Sequence, residues 1–131
     1  MNLLPTVRFA ALALAALTTL AAQAQLKIGV IASATGPTAA VGIPQKNSAA
    51  LLPKKIGNLD VEYTVLDDAS DSTMTVTLLK KLMVEQRVDA IIGPSGSPNS
   101  MAALQFIAEN KTPMLAPVGT TAVVLPMTDQ K

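Results

Sequence analysis

Four short apolar runs, each closed by a cluster of glycine, proline or small polar residues, recur along this chain at separations too long for hairpins. They are Leu26–Ala32 (LKIGVIA), Leu59–Leu66, Val88–Ile92 (VDAII) and Met114–Ala116. Runs this short and this rich in β-branched residues read as strands. The segments between them have helical periodicity. Gly42-Ile43-Pro44 marks the start of the first helix, with Pro44 in the first turn, where a missing N–H costs nothing. Gln45–Leu52 continue it, with Ala49, Leu51 and Leu52 facing the core, and Pro53 bends or ends it. The second helix is capped by Asp71 or Ser72, whose side-chain oxygens suit a free N–H of a first turn. It runs to about Arg87, with Leu78, Leu79, Leu82 and Met83 inward and Lys80, Lys81 and Glu85 outward. The third opens at Ser97-Pro98, a cap followed by proline at the first helical position. Met101, Leu104, Ile107 and Ala108 give it an apolar stripe to about Glu109. The order βαβαβαβ predicts an α/β fold: an open parallel sheet with helices on both faces and right-handed crossovers. Leu59, Val61, Tyr63 and Val65 alternate, which places that strand near a sheet edge.

The N-terminus belongs to a different class of segment. Arg8 precedes an uncharged run from Phe9 to Ala22, and Ala22-Gln23-Ala24 follows with small residues at the two positions a signal peptidase reads. A basic n-region, a short apolar h-region and an A-x-A site make a secretory signal peptide, cleaved after Ala24. The run covers 14 residues, short of the roughly 20 that a helix needs to span a bilayer. The chain therefore divides into a signal peptide at 1–24 and a mature segment at 25–131. The absence of Cys rules out a lipid-anchored form. After cleavage no direct membrane insertion is expected, and the destination is the periplasm.

Composition excludes several functions. Arg8 is one of ten basic residues, so the remainder carries nine Lys and Arg against nine Asp and Glu. No basic excess is left for nucleic acid or an anionic membrane. There is no His and no Cys, which removes most transition-metal sites and the commonest general base. No cofactor is expected, and there is neither a G-x-G-x-x-G after Gly29 nor a phosphate loop ending in Gly-Lys-Ser/Thr. Gly93-Pro94-Ser95-Gly96-Ser97 has the outline of a nucleophile elbow, but Ser97 stands where its second glycine belongs and no His exists to activate a serine. An enzyme of flavodoxin-like type is disfavoured on these grounds. Asp67 and Asp68 form an acidic pair, but neighbours at a strand end point to opposite faces. Capping suits them better than metal or acid–base chemistry.

Ligands of open α/β sheets bind outside the carboxyl ends of the strands. Three loops emerge there: Ser33–Pro37, Gly93–Pro98 and Pro117–Thr121. The second is the most informative, because a helix begins at its end. A helix N-terminus offers free N–H groups and partial positive charge to an anion such as a carboxylate, and Ser97 adds a hydroxyl. Thr120 adds another beside the carbonyl of Val118, and donors next to an acceptor suit a zwitterion. The plainer alternative is that Ser97 only caps its helix.

Taken together, Lys27-Ile-Gly-Val-Ile31 with Thr35-Gly-Pro37, Val65-Leu-Asp-Asp-Ala69, Val88-Asp-Ala-Ile-Ile-Gly-Pro94, Ser97-Pro-Asn-Ser100 and Thr112-Pro-Met-Leu-Ala116 resemble the N-terminal lobe of type I periplasmic binding proteins, in the branch serving branched-chain amino-acid ABC transporters. The resemblance runs from Leu26 to about Thr128. It implies a non-enzymatic substrate-binding component that delivers an amino acid or related carboxylate-bearing solute to an ABC permease in the inner membrane. It also implies that Ser97 binds the ligand carboxylate, and that the Val118 carbonyl and the Thr120 hydroxyl meet the polar head. Positions that some leucine-binding relatives join by a disulfide are Ser70 and Gly96 here, so no bridge forms. The stretch from Gly36 to Asn58 is short, and first-loop contacts transfer poorly. Family members close two lobes on the ligand, and on that pattern the chain reads as a truncated lobe one. A ligand-binding sensor or receptor of the same fold, or an inactive fragment, are the alternatives.

Overall fold

The computed structural model describes residues 25–123. The expected signal peptide at 1–24 lies outside the described residues. Strand β1 spans Gln25–Ala32 and helix α1 Ala39–Ala49; β2 (Lys55–Ile56) and β3 (Leu59–Asp67) form a hairpin. Helix α2 covers Ser72–Lys80 and continues through a π-helical turn at Lys81–Glu85. Strand β4 (Ala90–Ile92), helix α3 (Ser97–Asn110), strand β5 (Met114–Leu115) and a 3-10 turn at Thr121–Val123 complete the described chain.

The five strands form one sheet in the order β2-β3-β1-β4-β5. All pairings are parallel except β2 with β3. The sheet is therefore the expected α/β architecture with one small antiparallel addition. Strand β2 has only two residues and too little pattern to read from sequence. It exists because Gly57 adopts φ +60°, a left-handed turn conformation open to glycine, and returns the chain onto β3. The Lys55–Asp60 ion pair beside it, at 3.4 Å, is exposed and contributes at most about 1 kcal/mol.

Helices cover both faces, and each face has its own core. On one side Ile31, Leu79, Leu82, Met83, Val88, Ile91 and Ala103 pack between the sheet and α2 and α3. On the other, Ile28, Val30, Ala49 and Val61 pack under α1. Alternation along β1 produces this split: Ile28 and Val30 face α1 while Ile31 faces α2. Gly29 lies on the α2 side, where a Cβ would approach the methyls of Leu82 and Ile91 to 2.8 Å. Leu115, paired with Ile92 on the α1 side, is 66% exposed.

Two local expectations are corrected. Helix α1 starts at Ala39, so Pro44 lies inside it instead of in its first turn. The Thr38 carbonyl opens the helix by accepting the N–H groups of Val41 and Gly42, both at 3.0 Å, and this precedes the proline. Leu51 is 85% exposed, beyond the helix end at Ala49, while Leu52 alone turns toward the core. The second helix is capped by Asp71, whose Oδ1 accepts the Met74 N–H.

Candidate functional site

Strand order reverses between β1 and β4. The chain leaves β1 through α1 on one face toward β3, and leaves β4 through α3 on the other face toward β5. The two connections diverge, and it is in the crevice outside the carboxyl ends of the strands at such a switch point that sheets of this kind bind ligands.

Its walls are tied together by polar contacts. The Ser33 N–H donates to Ser95 Oγ at 3.0 Å, linking the β1 loop to the β4 loop. At Gly93, with φ +104°, a Cβ would run into the Ile31 carbonyl oxygen, so the β4 loop lies directly on β1. Asp67 Oδ1 accepts the N–H groups of Ala34, Thr35 and Ala69 at 3.0, 3.3 and 2.9 Å. Burial pushes the Asp67 carboxyl up, but the N–H groups of Ala69, Thr35 and Ala34 and the Thr35 hydroxyl outweigh it and hold the pKa below the ordinary value. Ser70 Oγ donates to the Thr35 carbonyl at 2.7 Å and accepts the Thr38 N–H at 3.1 Å. The Thr38 hydroxyl lies 2.6 Å from the same oxygen. Since the Ser70 proton is committed to Thr35, Thr38 is the donor in that pair.

Ser97 is half-buried and is the first residue of α3. The expected cap role is corrected: Gly96 occupies the cap position in an extended conformation, and no side chain caps the helix. Glycine is among the residues favoured there, and Pro98 fills the first turn as expected. The Ser100 N–H reaches the Gly96 carbonyl at 2.9 Å. Among the described residues, the N–H groups of Ser97 and Asn99 find no acceptor, as the geometry of a first turn requires. The Ser97 hydroxyl thus stands beside open donors at the positive end of a 14-residue helix.

Strands β4 and β5 are parallel neighbours, so the Val118–Thr120 loop emerges beside the Gly93–Gly96 loop. Helix α3 also packs against the Thr121–Val123 turn. The Val118 N–H turns back to the Ala116 carbonyl at 2.9 Å. Thr120 Oγ1 accepts the Ala122 N–H at 3.2 Å and keeps its own proton to donate. Gln45, on α1, was not singled out in the sequence; its Nε2 reaches the Pro117 carbonyl at 3.3 Å and ties α1 to this loop. Ser70, Thr75, Ser95 and Asn99 were likewise missed, because polar residues in loops and first turns carry no signal of what they will touch. Among the described residues no group of three His, Cys, Asp or Glu side chains converges on a metal site. No described helix is long and apolar enough to cross a membrane.

A mostly parallel α/β sheet, with an anion-seeking helix terminus at its switch point, has the layout of one lobe of a solute-binding protein. The sequence profile of the family described as periplasmic binding protein matches residues 25–128, and the chain belongs to that family. Its members are solute-binding proteins, with a periplasmic or extracellular location. Over 105 residues the chain is 33% identical to the Leu/Ile/Val-binding protein BraC3 of Rhizobium johnstonii, covering 76% of this chain and 28% of that protein. An extracellular ligand-binding receptor from Rhodopseudomonas palustris HaA2 superposes with a TM-score of 0.79 at 43% identity, over 82% of this chain and 30% of that one. A solute-binding protein of an ABC transporter from Rhodopseudomonas palustris BisB5, in complex with 3,4-dihydroxybenzoic acid, superposes with a TM-score of 0.67 at 27% identity, over 76% and 29%. The chain spans less than a third of the length of these relatives.

Proposed function

We propose that this chain contributes the carboxylate-binding wall of a solute site in an ABC uptake system. The observation that carries the reading is the start of α3, where the N–H groups of Ser97 and Asn99 have no acceptor among the described residues and the Ser97 hydroxyl stands beside them. An anionic head seated there completes a helix terminus that the protein itself leaves open. In this reading the Val118 carbonyl accepts from, and the Thr120 hydroxyl donates to, the rest of the polar head.

The ligands named for the relatives support a carboxylate before any particular side chain. Leucine, isoleucine and valine share the α-amino-acid head and a branched aliphatic side chain, and 3,4-dihydroxybenzoic acid has only the carboxyl group in common with them. An amino acid is the first choice, because the Val118 carbonyl adds an acceptor for an ammonium. The partner is then an ABC permease in the inner membrane, and export proceeds with cleavage after Ala24. The similarity to an extracellular ligand-binding receptor favours a sensor of the same fold as the second reading.

Calorimetric titration of the protein at its full natural length with L-leucine, L-valine, 3,4-dihydroxybenzoate and leucinamide tests the proposal. Binding of at least one carboxylate, with leucinamide much weaker than leucine, is the expected outcome. Equal affinity for leucine and leucinamide removes the carboxylate role of Ser97.

A further inference from the structure

The structure buries one carboxylate that the solute reading does not use. Asp68 is fully buried, as is Thr75, and Asn99 is nearly so. Asp68 Oδ2 accepts the Thr75 hydroxyl at 2.7 Å and Asn99 Nδ2 at 2.8 Å, while Oδ1 accepts the Ser70 N–H at 3.1 Å. Asn99 Nδ2 also reaches Thr75 Oγ1 at 2.8 Å. A buried carboxylate is tolerated only when hydrogen bonds replace its lost hydration, and here three donors from three segments do so.

We propose that Asp68 is a positioning residue for the ligand site, setting the rotation of helix α3 through Asn99 so that Ser97 faces the crevice. The proposal rests on the solute-binding reading of Ser97. Successive residues of an α-helix turn by about 100°, so Ser97 and Asn99 project about 200° apart. Locking Asn99 inward against Asp68 and Thr75 therefore turns Ser97 outward, and the exposures agree: Asn99 is buried and Ser97 half-buried. The other arm of Asn99 lies over Gly96, where its Oδ1 would be 3.1 Å from a Cβ, and this also fixes the residue that caps the helix. The same carboxylate holds the N–H of Ser70, whose hydroxyl grips the Thr35 carbonyl and the Thr38 N–H. One buried group thus sets both walls of the crevice.

The test compares wild type with Asp68→Asn, Thr75→Val and the exchange Asp68→Asn/Asn99→Asp in the protein at its full natural length. Two readouts are taken: amide hydrogen exchange along α3, and L-leucine affinity by calorimetry. Asp68→Asn replaces one of two accepting oxygens by an NH2, so either way the amide turns it sets a donor against the Asn99 NH2 or against the Ser70 N–H; the exchange restores a donor–acceptor pair with Asn99 with its polarity reversed. Asp68→Asn is expected to speed exchange at Ser100 and Met101 and weaken leucine about tenfold, the factor for a hydrogen bond to a charged group. Phe106 and Ile107 should stay near wild type, and the double variant should recover both readouts. Thr75→Val gives the same pattern in smaller measure, and decides the matter if Asp68→Asn does not fold. Unchanged exchange at Ser100 and Met101, or faster exchange with unchanged leucine affinity, overturns the proposal. If wild type binds no carboxylate, the solute reading falls, and the exchange pattern alone still tells whether Asp68 anchors α3.

Discussion

Asp67 Oδ1 accepts the Ala34 N–H at 3.0 Å, so the end of β3 is latched to the loop that leaves β1. Burial raises the Asp67 pKa, but the Ala69 N–H, then the Thr35 hydroxyl and N–H and the Ala34 N–H, together lower it further, and a lowered folded pKa has a definite sign in the stability profile. The folded state holds the proton less tightly than the unfolded state, so the contribution is present above the ordinary Asp value of 3.8. It is lost as pH falls through the lower folded value. Melting temperature followed from pH 7 downward is expected to fall below about pH 4. Asp67→Asn should flatten that acid limb, and an acid limb identical to wild type contradicts the latch.

Helix α1 crosses the β1 loop at Gly42. A Cβ there would run into the Ser33 carbonyl oxygen, which is backbone and cannot swing aside. Gly42→Ala gains up to about 1 kcal/mol of helix propensity, but overpacking typically costs about 1–3 kcal/mol. Net destabilisation is expected in urea unfolding. Stabilisation by this substitution is incompatible with the close crossing.

Ser97 separates binding from stability. It does not cap α3, so Ser97→Ala should leave unfolding free energy within about 0.5 kcal/mol of wild type. Loss of its hydroxyl should weaken a carboxylate solute about tenfold, because hydrogen bonds to charged groups contribute about 1.5–3 kcal/mol. Lowered stability with unchanged affinity would return Ser97 to a purely structural role.

Residues 25–131 by themselves offer a ligand one wall. Sites for small molecules bury most of the ligand's surface, and a single wall leaves the rest of it in water. Leu115 is also exposed. Leucine is expected to bind this segment no more tightly than about 1 mM. Micromolar binding with a cooperative melt identifies the segment as a self-sufficient module.

The alternation of β-branched runs with helical periodicity was enough to determine the α/β class, the parallel pairing of β1, β3, β4 and β5, and the sites of the three loops. Those patterns report which face of each element must be buried, and burial is a local consequence of side-chain chemistry. The Asp71 cap and the Ser97-Pro98 helix start were legible for the same reason, though tertiary packing moved the cap at α3 from Ser97 to Gly96. Only the folded structure decided where α1 begins, since the Thr38 carbonyl and the approach to Ser33 outweigh the local signal of Pro44. It alone decided that adjacent aspartates divide their work, Asp67 holding the β1 loop and Asp68 holding α3 through Asn99, 31 residues away. Such pairings join residues far apart in the chain, and a polar side chain does not encode its partner: the same Asn, Thr or Ser satisfies its hydrogen bonds with water, backbone or a distant carboxylate, and the topology of the sheet selects which.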